Sequence, residues 1–113
     1  MSLPVTPSVM EGAYEYLRTW PMFKALPEAP EVEFTVIRSP RVYGHYTQRN
    51  DHAIYISSST NGLSDTLLKT MAHEMVHQVL RLRGDPKWWQ HGAKFKTLAK
   101  RVCKCAGWDI KAF

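Results

Sequence analysis

The residues of this chain best equipped for chemistry are two histidines four positions apart with a glutamate between them, His73-Glu74-Met75-Val76-His77. On a helix, positions i and i+4 share a face with their Cβ atoms about 6 Å apart, so two imidazoles at that spacing can grip one Zn²⁺. The intervening carboxylate then reaches a water on that ion, which is the working core of a metal-dependent peptidase. Five residues are a short signal, and the elements around them must support the reading.

A helix is predicted over residues 64–83, with Ser64 as N-cap, Gly84 as C′ residue and Pro86 beyond its end. At 100° per residue, Leu67, Leu68, Met71, Met75, Val76, Val79, Leu80 and Leu82 cover an arc of roughly 220°, interrupted by Lys69, Gln78 and Arg83. The remaining strip carries Thr66, Thr70, His73, Glu74, His77 and Arg81. The histidines therefore occupy the polar seam of a largely buried helix, as expected of side chains lining a cleft; surface histidines on an exposed face fit this pattern poorly.

Upstream, residues 8–25 read as an amphipathic helix that Pro21 kinks or ends, followed by a Pro-rich loop at 27–30. Three strands are expected at Val32–Ile37, Arg41–Thr47 and His52–Ser57. Ser39-Pro40 separates the first two, and Gln48-Arg49-Asn50-Asp51 forms a hairpin turn between the last two. A final amphipathic helix is expected over residues 91–105. The whole is one α+β domain, residues 1–113, with its sheet on one side of the motif helix.

A catalytic zinc wants a third protein ligand and an open fourth position. No Glu follows Glu74, and Leu80 and Arg83 stand where the metzincin pattern needs Gly and His. His91, Asp85, Asp109, Cys103 and Cys105 remain. Geometry favours His91: the helix runs about 9 Å beyond His77 to Arg83, and the eight residues onward to His91 can span about 26 Å. Placed on the wheel of the last helix, His91 falls in the apolar arc of Phe95, Leu98, Ala99 and Val102 and points inward. Cys103 and Cys105 lie about 200° apart on that wheel and cannot share an ion while helical.

Composition narrows the setting. A hydrophobic content of 44% with 12% aromatic residues argues against disorder. No apolar run reaches membrane-spanning length, no signal-peptide pattern opens the chain, and two close cysteines do not make a disulfide scaffold. An intracellular protein, cytoplasmic or nucleoid-associated, is expected, and a monomer is favoured. The net charge of +5 is uneven: residues 1–80 hold six Lys/Arg against eight Asp/Glu, residues 81–113 nine against two. A basic surface facing a polyanion is one consequence, and a solvated helix face the other.

His73-Glu74-Met75-Val76-His77-Gln78, followed by His91-Gly92-Ala93-Lys94-Phe95-Lys96 and an amphipathic basic helix, resembles the SprT-like, Spartan-related zinc metalloprotease domain. The Gly44 hairpin and the Ile54–Ser57 strand look like the family's sheet leading into its motif helix, and the resemblance covers about residues 8–108. It implies a zincin-like fold with one catalytic Zn²⁺ on His73, His77 and His91, and Glu74 as general base. It also implies protein substrates crosslinked to or bound on DNA, and so a part in DNA–protein crosslink repair. Many relatives continue into a C-terminal zinc ribbon, which Cys103 and Cys105 cannot supply. A minimal version without that ribbon is expected.

In such an enzyme Glu74 takes a proton from the attacking water and returns it to the leaving amine. A strand within residues 41–57 can hold substrate backbone by strand addition, and Tyr43, His45, Tyr46 and Tyr55 are candidate substrate or oxyanion contacts. On the last helix Lys94, Lys96, Lys100, Arg101 and Lys104 fall opposite the apolar arc, with Trp88 and Trp89 just upstream. A basic face near stacking aromatics suits single-stranded or junction DNA. The rival classes are a nucleic-acid-binding module with structural zinc, and a processing or lysis peptidase unrelated to DNA.

Overall fold

The computed structural model describes residues 4–47, 52–58 and 64–113. The expected hairpin turn at 48–51 and the Ser64 side-chain cap lie outside what is described. Helix α1 spans Pro7–Leu17, where Thr6 accepts a hydrogen bond from the Val9 N–H at 3.1 Å and Pro7 occupies the first turn. It stops well short of residue 25. Trp20, preceding a proline, is extended, and Thr19 Oγ1 bonds the Tyr16 carbonyl at 2.7 Å, so a separate 3₁₀ turn, Pro21–Phe23, carries the chain onward.

Strands β1 (Glu33–Ile37), β2 (Gly44–Thr47) and β3 (Ala53–Ser57) form a mixed sheet in the order β1-β3-β2. Strand β1 runs parallel to β3 and β2 antiparallel to it. The second strand begins three residues later than expected, because Ser39 Oγ accepts from the Arg41 and Val42 N–H groups and curls the chain first. In register, Phe34, Ile54 and Tyr46 share one face with Val36, Ile56 and Gly44. That face meets the helices; Thr35, Tyr55 and His45 point the other way, as the two-residue period requires.

Helix α2 (Ser64–Leu82) lies across β2 and β3 and packs on α1. Its Leu67, Met71, Met75, Val76, Val79 and Leu80 join Met10, Tyr14 and Leu17 of α1 and Ile54 and Ile56 of β3 in one core. Leu82, placed in the apolar arc, is instead half exposed at the fraying end. Gln78 is fully buried and reaches the Tyr14 hydroxyl at 3.2 Å, so a polar residue in that arc is tolerated by a partner on α1. Gly84 follows with φ 80°, a left-handed turn that reverses the chain toward the histidines. Helix α3 (Ala93–Ala106) then packs against α2, with Phe95, Leu98, Ala99, Val102 and Cys103 inward.

The approach of β2 to α2 depends on Gly44. A Cβ there would overlap the Tyr55 carbonyl oxygen and sit 3.1 Å from Thr70 Cγ2. Gly44→Ala is expected to destabilise the protein by about 1–3 kcal/mol, read as a fall in the urea midpoint at unchanged m-value. An unchanged midpoint would show that the strand can move aside.

Candidate metal centre

His73 and His77 project from adjacent turns of α2, and each is held by a backbone carbonyl from elsewhere in the chain. His73 Nδ1 lies 2.9 Å from the Phe113 carbonyl oxygen and His77 Nδ1 2.7 Å from that of Trp88. A carbonyl only accepts, so both Nδ1 atoms carry the proton and both Nε2 atoms present lone pairs. Those lone pairs converge: the Nε2 atoms of His73 and His77 are each 3.1 Å from His91 Nε2. Since His91 Nε2 can bear at most one proton, a hydrogen bond satisfies only one of the two. A cation satisfies all three.

The spacing fits Zn²⁺. Nitrogen donors about 2.05 Å from a tetrahedral zinc stand about 3.3 Å apart, and all three ring donors here lie within 4.8 Å of one another. Burial first, and then His77 and His91 nearby, push His73 down to about 4, against the Phe113 hydrogen bond. Burial likewise lowers His77. Both rings are thus held in the neutral form that a metal requires.

His91 reaches this cluster from the loop before α3, not from the helix, which begins two residues later behind the extended Gly92. It is exposed, whereas an inward-pointing side chain was expected. The helix wheel does not extend past the N-cap, and His91 covers the cluster from the solvent side. Phe95 lies beneath it, its ring 4.9, 4.7 and 4.7 Å from those of His73, His77 and His91. The His-Gly-x-x-Phe spacing therefore places the third imidazole just before α3 and the ring beneath it in the first turn of that helix. The other ligand candidates are elsewhere: Asp85 and Asp109 accept from the Lys87 and Lys111 N–H groups, Cys103 is buried and Cys105 exposed away from the cluster.

Glu74 is 5% exposed and lines, with His73, an open cleft of about 530 Å³. Burial raises its carboxyl to about 8, against a hydrogen bond from the Tyr46 backbone N–H. Thus the edge strand β2 fixes Glu74 through its main chain. The Tyr46 ring is buried, its hydroxyl 2.8 Å from His52 Nδ1 and 3.1 Å from the Arg81 guanidinium, so it holds the helix and the sheet together. Its edge also packs on Trp88, whose carbonyl holds His77.

The four aromatic candidates on and before β2 and β3 are thus separated. Tyr43 lines the cleft beside His73 and Glu74 and is 57% exposed. His45 and Tyr55 stack on each other with centroids 4.2 Å apart on the sheet face away from α2. Tyr46 reaches Glu74 through its backbone N–H. On α3, Lys94, Lys96, Lys100, Arg101 and Lys104 are all exposed. Trp89 is 60% exposed, while Trp88 is partly buried against the core.

A small α+β domain whose motif helix and following loop bring three imidazoles together beside a buried glutamate has the donor set of a zinc-hydrolase centre. The chain belongs to the SprT-like family: that family's model matches residues 14–112, nearly the whole length, and gives the chain a metalloprotease-type domain. The match runs past residue 108 and ends at residue 112, one residue before Phe113. Nothing among curated proteins matches the chain. Among the described residues no helix is long and apolar enough to cross a membrane.

Proposed function

We propose that the chain is a zinc-dependent endopeptidase acting on proteins bound to or crosslinked with DNA. The observation that carries the chemistry is the convergence of two carbonyl-held Nε2 lone pairs on His91, next to a buried carboxyl that faces an open cleft. Zn²⁺ on His73, His77 and His91 would supply a Lewis acid and a local positive charge, acidifying water, polarising the scissile carbonyl and returning Glu74 toward its ionised form. The carboxylate of Glu74, oriented by the Tyr46 N–H, takes the proton of the nucleophile and passes it to the departing amine nitrogen. Strand β2 is the outer strand of its sheet on the cleft side, so an extended substrate can add to it and lie past Glu74. Tyr43 is the sheet-side aromatic placed to touch that substrate.

The DNA part of the proposal is supported by charge and shape. Lys94, Lys96, Lys100, Arg101 and Lys104 point to solvent from one helix, and Trp89 presents an exposed ring just upstream. Trp88, engaged by Tyr46, leaves Trp89 as the ring able to stack on a base. The test is cleavage of a purified DNA-binding protein with and without single-stranded DNA, zinc chelator and added salt. Chelation is expected to stop cleavage, and DNA to accelerate it in a manner that fades as salt rises. Cleavage that survives chelation would overturn the metallopeptidase reading, and indifference to DNA would remove the DNA-bound substrate while leaving the peptidase.

A further inference from the structure

We propose that the C-terminal turn, residues 107–113, is part of the metal centre, with Phe113 the positioning residue for His73. The inference rests on the metallopeptidase reading and adds a determinant of metal affinity that lies outside the motif. Helix α3 ends at Ala106 with Gly107 in the left-handed region, and the Trp108 N–H bonds the Cys103 carbonyl at 3.0 Å. The 3₁₀ turn Ile110–Ala112 follows, capped by the Asp109 carboxylate on the Lys111 N–H at 2.9 Å. This turn delivers the Phe113 carbonyl to His73 Nδ1.

Aromatic contacts fix where the turn lies. Trp108 packs on Trp20 at 6.0 Å and stacks on Phe113 at 6.2 Å and 25°, while Phe113 meets His73 at 5.4 Å and Phe95 at 6.3 Å. The carbonyl is therefore held by a packed run of rings reaching from the end of α1 to the ligand. Its effect on His73 is twofold. It fixes the Nδ1–H tautomer, which leaves the Nε2 lone pair for the ion, and it fixes the ring plane so that this lone pair points at those of His77 and His91. Trp88 does the same for His77, so both helix histidines take their orientation from segments the His-Glu-x-x-His motif does not contain. Ala112 and Phe113 also wall the cleft in front of Glu74, so this turn shapes the site as well as holding it.

The experiment measures Zn²⁺ affinity of the full chain by competition with a chromophoric chelator. Deleting Phe113 is expected to weaken zinc binding about 10–100-fold, the usual cost of losing an outer partner of a ligating histidine. Phe113→Leu, which keeps the carbonyl and an apolar side chain, is expected to stay within about threefold of the parent. Asp109→Ala, which loosens the turn without touching the site, should fall between the two. NMR of the zinc-loaded protein adds a direct readout: the His73 Nδ1 proton gives a protected downfield signal in the parent and loses it in the deletion.

A deletion variant that binds zinc within twofold of the parent would overturn the inference. So would a Phe113→Leu loss as large as that of the deletion, because the effect would then belong to the ring. If the deletion prevents folding of the metal-free chain, as read by circular dichroism, Asp109→Ala and the His73 proton signal decide in its place. A parent chain that binds no zinc at all would instead refute the metallopeptidase reading itself.

Discussion

Glu74→Gln is expected to reduce peptide-bond hydrolysis by about 10²–10⁴-fold while leaving zinc affinity within a few-fold of the parent. The amide keeps the volume of the carboxyl and still accepts from the Tyr46 N–H, so the cleft holds its shape. It cannot take up and return a proton. The same substitution should make the metal-free protein more stable. Burial lifts the Glu74 carboxyl from the ordinary 4.5 to about 8, so the folded state binds a proton that the unfolded chain releases between those values. The contribution of Glu74 to stability is therefore greatest below about 4.5 and is lost as pH rises toward 8. A neutral amide removes that loss, and the advantage of Glu74→Gln over the parent in chelator-treated protein should widen from pH 5 to pH 8. Kinetics on a protein substrate and thermal melts across that pH range check both halves. A general base gives a fall in rate beside the rise in stability; a buried carboxyl that only packs gives the rise in stability alone. Residual activity near the parent level would end the general-base assignment.

What could be read from the sequence follows the kind of group involved. The motif helix, its burial and its end at Gly84 were legible because apolar side chains recur at helical spacing and Gly84 takes a left-handed turn. That His91 returns to the motif histidines was legible from the reach of the chain and by elimination, although its position before the helix was not, since periodicity does not say where a helix starts. The groups that hold the histidines and Glu74 were not legible at all. The carbonyls of Trp88 and Phe113 and the N–H of Tyr46 are main-chain atoms, and every residue has them. Trp88 and Tyr46 stand out in the sequence for their side chains, and it is their backbones that bond His77 and Glu74. Phe95 reads as core from its spacing, which it is, but its ring is also the floor under three imidazoles. The one hint was the spacing His91-Gly92-x-x-Phe95. The separation of Tyr43 from His45 and Tyr55 needed the register of β2 against β3, because a one-residue slip exchanges the two faces.

His91→Ala is expected to lower zinc affinity by on the order of a thousandfold or more, beyond the 10–100-fold that an outer partner costs, and to leave the metal-free fold as stable as the parent. The asymmetry comes from where the ligands sit. His91 is exposed and lies before α3; among the described contacts it touches the rings of His73, His77 and Phe95. Truncating an exposed side chain opens no cavity, and the Nε2 atoms of His73 and His77 that lose it as a partner then face the solvent side. His77 is 7% exposed and bonds the Trp88 carbonyl, so His77→Ala removes a ligand, strips that carbonyl of its donor and leaves a hole beside Phe95. That variant should lose zinc to a similar degree and also lose about 2–4 kcal/mol of stability without metal. Zinc competition titrations and melts of chelator-treated protein separate the two. If both variants lose metal but only His77→Ala loses stability, the cluster is a site assembled on a fold that stands without it. If His91→Ala still binds zinc within tenfold of the parent, the third donor comes from elsewhere in the chain. If His91→Ala unfolds the metal-free protein, the loop before α3 supports the core, and its histidine has a structural task besides ligation.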